Sequence, residues 1–114
     1  MIELPHVVAI ARGPGSLRLD LRIPPALNCF KGHFAGTPLL PGAVQVDWAI
    51  RYAREHFVLP ARFQALRNLK FMRFIEPGAR LTLQIDELPE SGEVTFGYHD
   101  GQGSFCVGRL GFVE

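Results

Sequence analysis

Hydrophobic and polar residues alternate with a period of two towards both ends of this chain and follow a helical period in the middle. Leu17, Leu19, Leu21 and Ile23 alternate with Arg18, Asp20 and Arg22, the pattern of a strand with one buried face. Pro24-Pro25 ends it. Upstream, the mixed apolar stretch from Glu3 to Arg12 reads as another strand, separated from the first by the turn signal Gly13-Pro14-Gly15. After Gly42 no glycine or proline occurs until Pro60, and Pro41 suits a helix's first turn, where its missing N–H costs nothing. The spacing predicts a helix from Pro41 to about Val58, with Val44, Asp47, Trp48 and Arg51 on one face. About 17 residues would run roughly 25 Å, enough to cross a small sheet.

The remainder reads as β structure. Arg62 to Ile75 is expected to form one long strand or a bent pair, turned by Glu76-Pro77-Gly78. Leu81, Leu83 and Ile85 alternate with Thr82, Gln84 and Asp86, and Val94, Phe96 and Tyr98 with Thr95, Gly97 and His99. Asp100-Gly101 marks a hairpin, and Ser104 to Val113 returns as the last strand. The sum is an α+β fold, an antiparallel sheet wrapped on one long helix. No repeat, linker or low-complexity tract divides residues 1–114, and this length suits a single domain with one core.

Composition narrows the function classes. A net charge of +1 makes no whole-molecule case for nucleic acid. No stretch approaches the roughly 20 apolar residues that span a bilayer, and the start Met1-Ile2-Glu3-Leu4-Pro5-His6 has no secretory pattern. Cys29 and Cys106 lie far apart without CxxC spacing, which argues against a disulfide framework and for small apolar side chains. The chain is therefore expected in the cytoplasm. The distribution of charge says more than its total. Residues 51–80 carry Arg51, Arg54, Arg62, Arg67, Lys70, Arg73 and Arg80 against Glu55 and Glu76, whereas 81–114 carry Arg109 against six acidic side chains. Such a middle either steers an acidic partner or forms the solvated faces of a helix and a strand.

The chemistry concentrates in Phe30-Lys31-Gly32-His33-Phe34-Ala35-Gly36-Thr37-Pro38-Leu39-Leu40-Pro41-Gly42-Ala43-Val44-Gln45-Val46-Asp47. A histidine sits in a loop constrained by Gly32, Gly36, Pro38 and Pro41, and the loop feeds into a helix. The first N–H groups of that helix lack intrahelical partners and carry about half a positive charge. Gly42 has no side chain to block a ligand oxygen, and Asp47 lies roughly 7–8 Å further along the axis. A thioester carbonyl resting at the helix start would bring its 3-hydroxyl towards Asp47. No His/Cys/Asp cluster has metal-ligand spacing.

This segment resembles the motif of the β-hydroxyacyl-acyl carrier protein dehydratases (FabA/FabZ type), approximately H-F-P-G-x-P-x-x-P-G-x-x-x-x-(E/D). The match runs through His33, Phe34, Gly36, Pro38, Pro41, Gly42 and Asp47 with spacing intact, and continues more weakly from Leu69 to Leu81. Compact length and Asp at position 47 are similar to the small ApeI-like group. The resemblance implies a hotdog fold and a homodimer with two active sites at the interface, either alone or as the unit of a higher oligomer. It implies that His33 of one subunit abstracts the C2 proton while Asp47 of the other protonates the leaving 3-hydroxyl. The Gly42 and Ala43 backbone would hold the thioester oxygen and the Leu39 carbonyl would orient the histidine ring. Phe34, Gly36, Pro38, Trp48 and Arg51 would contact substrate. No cofactor is expected, because the phosphopantetheine arm belongs to the acyl carrier protein that presents the substrate. Ala35 replaces the family's usual proline. Arg51 replaces its usual glutamine, a cation one turn from Asp47 that would favour the charged carboxylate, face away, or serve the carrier.

Taken singly, Trp48, Phe34, Phe71 and Phe74 read as core residues, some of which would line an acyl tunnel, and His6, His56 and His99 as ordinary surface or edge histidines. Two other functions fit the same fold. A hotdog thioesterase would use the carboxylate and helix start without needing His33, and a non-catalytic acyl-binding subunit would keep the fold alone.

Overall fold

The computed structural model describes residues 3–31 and 38–114. Its elements run β1 (His6–Gly13), β2 (Ser16–Arg22), a short 3-10 turn (Asn28–Phe30), α1 (Gly42–His56), β3 (Arg62–Phe71), β4 (Arg80–Leu88), β5 (Glu93–Asp100) and β6 (Gly103–Val113). The six strands form one sheet in the order β1-β2-β4-β5-β6-β3, every neighbouring pair antiparallel. Among the described residues no helix is long and apolar enough to cross a membrane.

Period-two alternation translates directly into the sheet. Leu17, Leu19 and Leu21 of β2, Leu83 and Ile85 of β4, and Val94, Phe96 and Tyr98 of β5 are buried in one core, since successive side chains of a strand point to opposite faces. The register places Leu19 opposite Leu83 and Leu83 opposite Tyr98, so the apolar rows of three strands stack as one surface. The helix covers that surface with Gln45, Trp48, Ala49, Tyr52 and Ala53, the i, i+3, i+4, i+7, i+8 stripe of an amphipathic helix. Asp47 falls outside this stripe. The shared face expected for Val44, Asp47 and Trp48 therefore divides: Trp48 is fully buried, whereas Val44 and Asp47 are half-buried at its margin. Two hydrogen bonds fix the helix in place. The Trp48 indole N–H donates to the Glu3 carbonyl at 2.8 Å, and the Tyr98 hydroxyl donates to the Gln45 carbonyl at 2.6 Å.

Pro41 is the N-cap of α1 and not its first helical residue; its carbonyl accepts from the N–H groups of Val44 and Gln45 at 3.1 and 3.2 Å. The stretch from Arg62 to Ile75, expected as one long strand or a bent pair, forms a single strand that ends at Phe71 and carries two register shifts, one between Arg67 and Lys70 where Asn68 adopts φ 55. A left-handed residue in an edge strand is the conformation of a bulge. β3 also departs from the core pattern: Phe63, Leu66, Leu69 and Phe71 all remain partly exposed, because the sheet ends at this strand. Cys29 and Cys106 are free thiols; Cys106 is buried, and burial pushes its thiol up to about 11, so it packs as a small apolar side chain.

Arg73 ties the connection after β3 to the β5–β6 turn. Its Nη2 donates to Asp100 Oδ1 and to the Gly103 carbonyl, each at 2.7 Å, and its guanidinium lies 3.9 Å from the Phe105 ring centroid. The hydrogen bond from Arg73, joined by the Gln102 N–H, holds the Asp100 carboxyl below the usual carboxylate range. A carboxylate with a depressed folded-state pKa stabilises the fold above its unfolded value of about 3.9 and loses that contribution as pH falls through the lower folded value. Thermal melts between pH 2 and 6 are expected to show Asp100→Asn less stable than wild type at pH 6, with the gap closing towards pH 2.

Candidate functional site

The site is built around the start of α1. Pro41 supplies no side-chain cap, the first turn carries no acidic residue, and among the described residues the N–H groups of Gly42 and Ala43 have no hydrogen-bond partner. Unpaired N–H groups at a helix start, aided by the macrodipole, attract an oxygen that carries or develops negative charge. Beside them lies a cavity of about 340 Å³ lined by Leu39, Leu40, Pro41, Gly42, Gln45 and the Phe71–Phe74 segment. Its volume falls within the roughly 300–1,000 Å³ of small-molecule sites, and its walls are mainly apolar, as such sites usually are.

Gly42 also makes room for a neighbouring ring. A Cβ at this position would stand 2.6 Å from Cζ of Phe71, so the missing side chain admits the phenyl ring of β3 against the helix start. Helix and edge strand thus share one wall of the cavity. The preceding segment is anchored to the far side of the same wall, with the Leu40 N–H donating to the Ile75 carbonyl at 2.8 Å. Arg73, whose donors are engaged by Asp100, Gly103 and Ser104, fixes the remaining stretch.

Gln45 is the unexpected member. It is 3% exposed, and its Nε2 donates to the Leu40 carbonyl at 3.2 Å, while its Oε1 is buried and without a partner among the described residues. A buried acceptor left unpaired costs about 1–3 kcal/mol, so this amide is no ordinary core filler. Its sequence signal was a glutamine on the apolar spacing of residues 45, 48, 49 and 52. Sequence reasoning likewise passed over Met72 and Arg73 as site residues, and read Phe71 and Phe74 singly as core among aromatics of which some would line an acyl tunnel. Both phenylalanines are exposed, 49% and 76%, and both line the cavity.

The other expected site residues distribute unevenly. Leu39 and Gly42 line the cavity, Ala43 is exposed at the helix start, and Pro38 is exposed just before it. Trp48 is fully buried beneath the helix and does not line the cavity. Its expected contact with substrate gives way to a structural one, because position 48 falls at the centre of the stripe that meets the sheet. Asp47 is half-buried, outside the cavity lining, and no ion pair joins it to the exposed Arg51. Burial pushes the Tyr98 phenol well above its ordinary value, and the nearby Cys106, Tyr52 and Asp47 add to the effect. His33, Phe34 and Gly36 lie outside the described residues. His6 and His99 stand on β1 and β5, and His56 accepts a 3.2 Å hydrogen bond from Arg12 at the opposite end of α1 from Gly42. No group of three or more His, Cys, Asp or Glu side chains suited to a metal ion occurs among the described residues.

A chain of this architecture recurs in solved structures. The dehydratase heterocomplex ApeI:P from Xenorhabdus doucetiae contains a chain with TM-score 0.90 and 27% identity, covering 98% of this chain and 100% of that one. A protein from Erwinia carotovora subsp. atroseptica matches with TM-score 0.82 and 30% identity, over 96% of this chain and 95% of that one. The six-stranded antiparallel sheet around one helix is thus the hotdog fold. No curated relative matches the sequence. The family model of ApeI-like proteins, described as ApeI dehydratase, matches residues 9–109, which takes in the helix start, Asp47 and all or part of every strand. By that match, this chain belongs to the ApeI-like dehydratase family.

Proposed function

We propose that this protein removes water from 3-hydroxyacyl thioesters carried on an acyl carrier protein, giving trans-2-enoyl thioesters. The observation that carries the reading is the pair of N–H groups at Gly42 and Ala43, without partners among the described residues, beside an apolar cavity and with Asp47 about 7–8 Å along the same helix. The thioester oxygen rests on those donors, where developing negative charge meets the helix start; such donors are worth roughly 2.7–4 kcal/mol each in comparable sites. His33 takes the C2 proton. The C2–H electron pair becomes the C2=C3 bond, the C3–O bond breaks, and Asp47 in its acid form gives a proton to the departing hydroxyl, which leaves as water. His33 ends protonated and Asp47 ionised, and proton exchange restores both.

Asp47 projects from outside the stripe that α1 buries against its own sheet, which supports a site completed across a subunit boundary. The assembly surface we assign is β3, a sheet edge whose apolar row of Phe63, Leu66, Leu69 and Phe71 is partly exposed. An unpaired edge with apolar side chains favours pairing with another strand. The occupant in this reading is a second copy. Because the Xenorhabdus relative is a heterocomplex, a non-identical chain is the competing outcome.

Three measurements test these assignments. Water loss from 3-hydroxyacyl carrier protein, followed by mass, is expected for wild type and to fall about 10²–10⁴-fold in His33→Ala and in Asp47→Asn. An active His33→Ala variant releasing free carrier would instead establish a thioesterase, and tight acyl-carrier binding without turnover a binding subunit. The exposed cations Arg51 and Lys70, neither in an ion pair among the described residues, are assigned to the acidic carrier. Reversing both to glutamate should raise KM about tenfold or more for carrier-bound substrate and leave a pantetheine thioester unaffected, since long-range attraction acts on the charged carrier alone. Light scattering should give a dimer mass for wild type at micromolar concentration and a monomer for Leu66→Asp, whereas a wild-type monomer would assign the edge to another partner.

A further inference from the structure

Gln45 is out of keeping with the cavity it lines. Among the described lining residues, Leu39, Leu40, Pro41, Phe71, Met72 and Phe74 present apolar surface, and the second polar side chain, Arg73, has four of its five N–H groups engaged by Asp100, Gly103 and Ser104. Among these residues Gln45 is therefore the side chain with an acceptor left over. Which atom is spare follows from its partner. The Leu40 carbonyl can only accept, so the amide must turn Nε2 towards it, and the atom left without a partner is the acceptor Oε1. The backbone cannot swing the residue away, because the Gln45 carbonyl receives the Tyr98 hydroxyl at 2.6 Å and Tyr98 is fully buried. Leucine or methionine would fill the same stripe without an unsatisfied oxygen.

Oε1 itself is buried, but Gln45 lines the cavity, and a turn of its amide would bring the acceptor to a donor on whatever fills that space. We propose that Gln45 is a specificity-determining residue, selecting acyl groups that carry a hydroxyl beyond the reacting carbons over purely hydrocarbon ones. Reaching such a hydroxyl takes a turn about the Cγ–Cδ bond, which loosens the 3.2 Å bond from Nε2 to Leu40. The proposal rests on the dehydratase reading for the identity of the thioester, not for the binding preference itself. Sites built to hydrogen-bond a substrate hydroxyl discriminate strongly against analogues lacking it, because the buried partner is otherwise stranded.

The test uses two pantetheine thioesters of equal chain length, one ending in a methyl group and one in a hydroxyl, each prepared as the 3-hydroxy substrate and as the unreactive 3-deoxy analogue. Wild type is expected to favour the hydroxyl-terminated member about tenfold or more in kcat/KM and in the affinity of the analogues by titration calorimetry. In Gln45→Met, near in size but without the acceptor, both ratios should fall towards one. Equal treatment of the two chains by wild type overturns the proposal, and this comparison stands even should the variant not fold. So does an equal loss on both substrates in Gln45→Met, which would make Gln45 a brace for neighbouring backbone. A preference among the analogues with no dehydration of either substrate upholds the role of Gln45 and removes the dehydratase reading.

Discussion

A single helix has to close the core of a six-stranded sheet, and its depth over the sheet is set where the Tyr98 hydroxyl meets the Gln45 carbonyl at 2.6 Å. Tyr98 comes from β5, in the interior of the sheet, and is fully buried, so its hydroxyl must find a partner inside the protein. It finds one on the first turn of α1. A buried hydrogen bond of this kind contributes only about 0.5–1.5 kcal/mol net, yet leaving its donor stranded costs more than that. The penalty for misplacement is what makes it a joint. One turn further on, Trp48 inserts fully into the core and donates to the Glu3 carbonyl at 2.8 Å. The first turn, which carries Gly42, Ala43 and Gln45, is therefore held to the sheet as a rigid piece.

From that joint the rest of the cavity follows. With the helix start placed, Gly42 is the residue that lets Phe71 pack across it, since any Cβ there would collide with the ring. Phe71 is the last residue of β3, and the chain beyond it is pinned by Arg73 to the β5–β6 turn and by the Ile75 carbonyl to Leu40. Three elements distant in sequence thus meet in one wall. The same edge strand exposes its apolar row, so the cavity adjoins the assembly surface proposed for β3. In a dehydratase, whose reaction needs a base, an acid and an oxyanion support without bulk water, such adjacency would let association of subunits both complete and seal the site.

Much of this was legible from residue order alone. Alternation of Leu17, Leu19 and Leu21, of Leu83 and Ile85, and of Val94, Phe96 and Tyr98 marks the buried faces of β2, β4 and β5 because strand geometry leaves no other reading of period two. Proline and glycine punctuation bounded α1 to within about two residues. The motif from His33 to Asp47 pointed to a dehydratase, and the family match agrees with it at that level. Where the reading failed, it failed on side chains whose fate depends on distant neighbours. Trp48 and Asp47 are adjacent in sequence, yet one reaches the sheet and the other does not. Phe71 and Phe74 look like core residues by composition but sit where the sheet ends.

Local patterning, turn chemistry and motif spacing thus determined the element order, the fold class, the buried faces and the dehydratase family, because each is a property of neighbours along the chain. Tertiary structure alone decided which polar group would be left unpaired at Gln45, that Gly42 makes room for a phenyl ring, that Arg73 is taken up by Asp100, and that β3 lies at an open edge. Those outcomes depend on residues 27 to 53 positions apart being brought within a few ångströms, and no local periodicity encodes which of many compatible surfaces will meet.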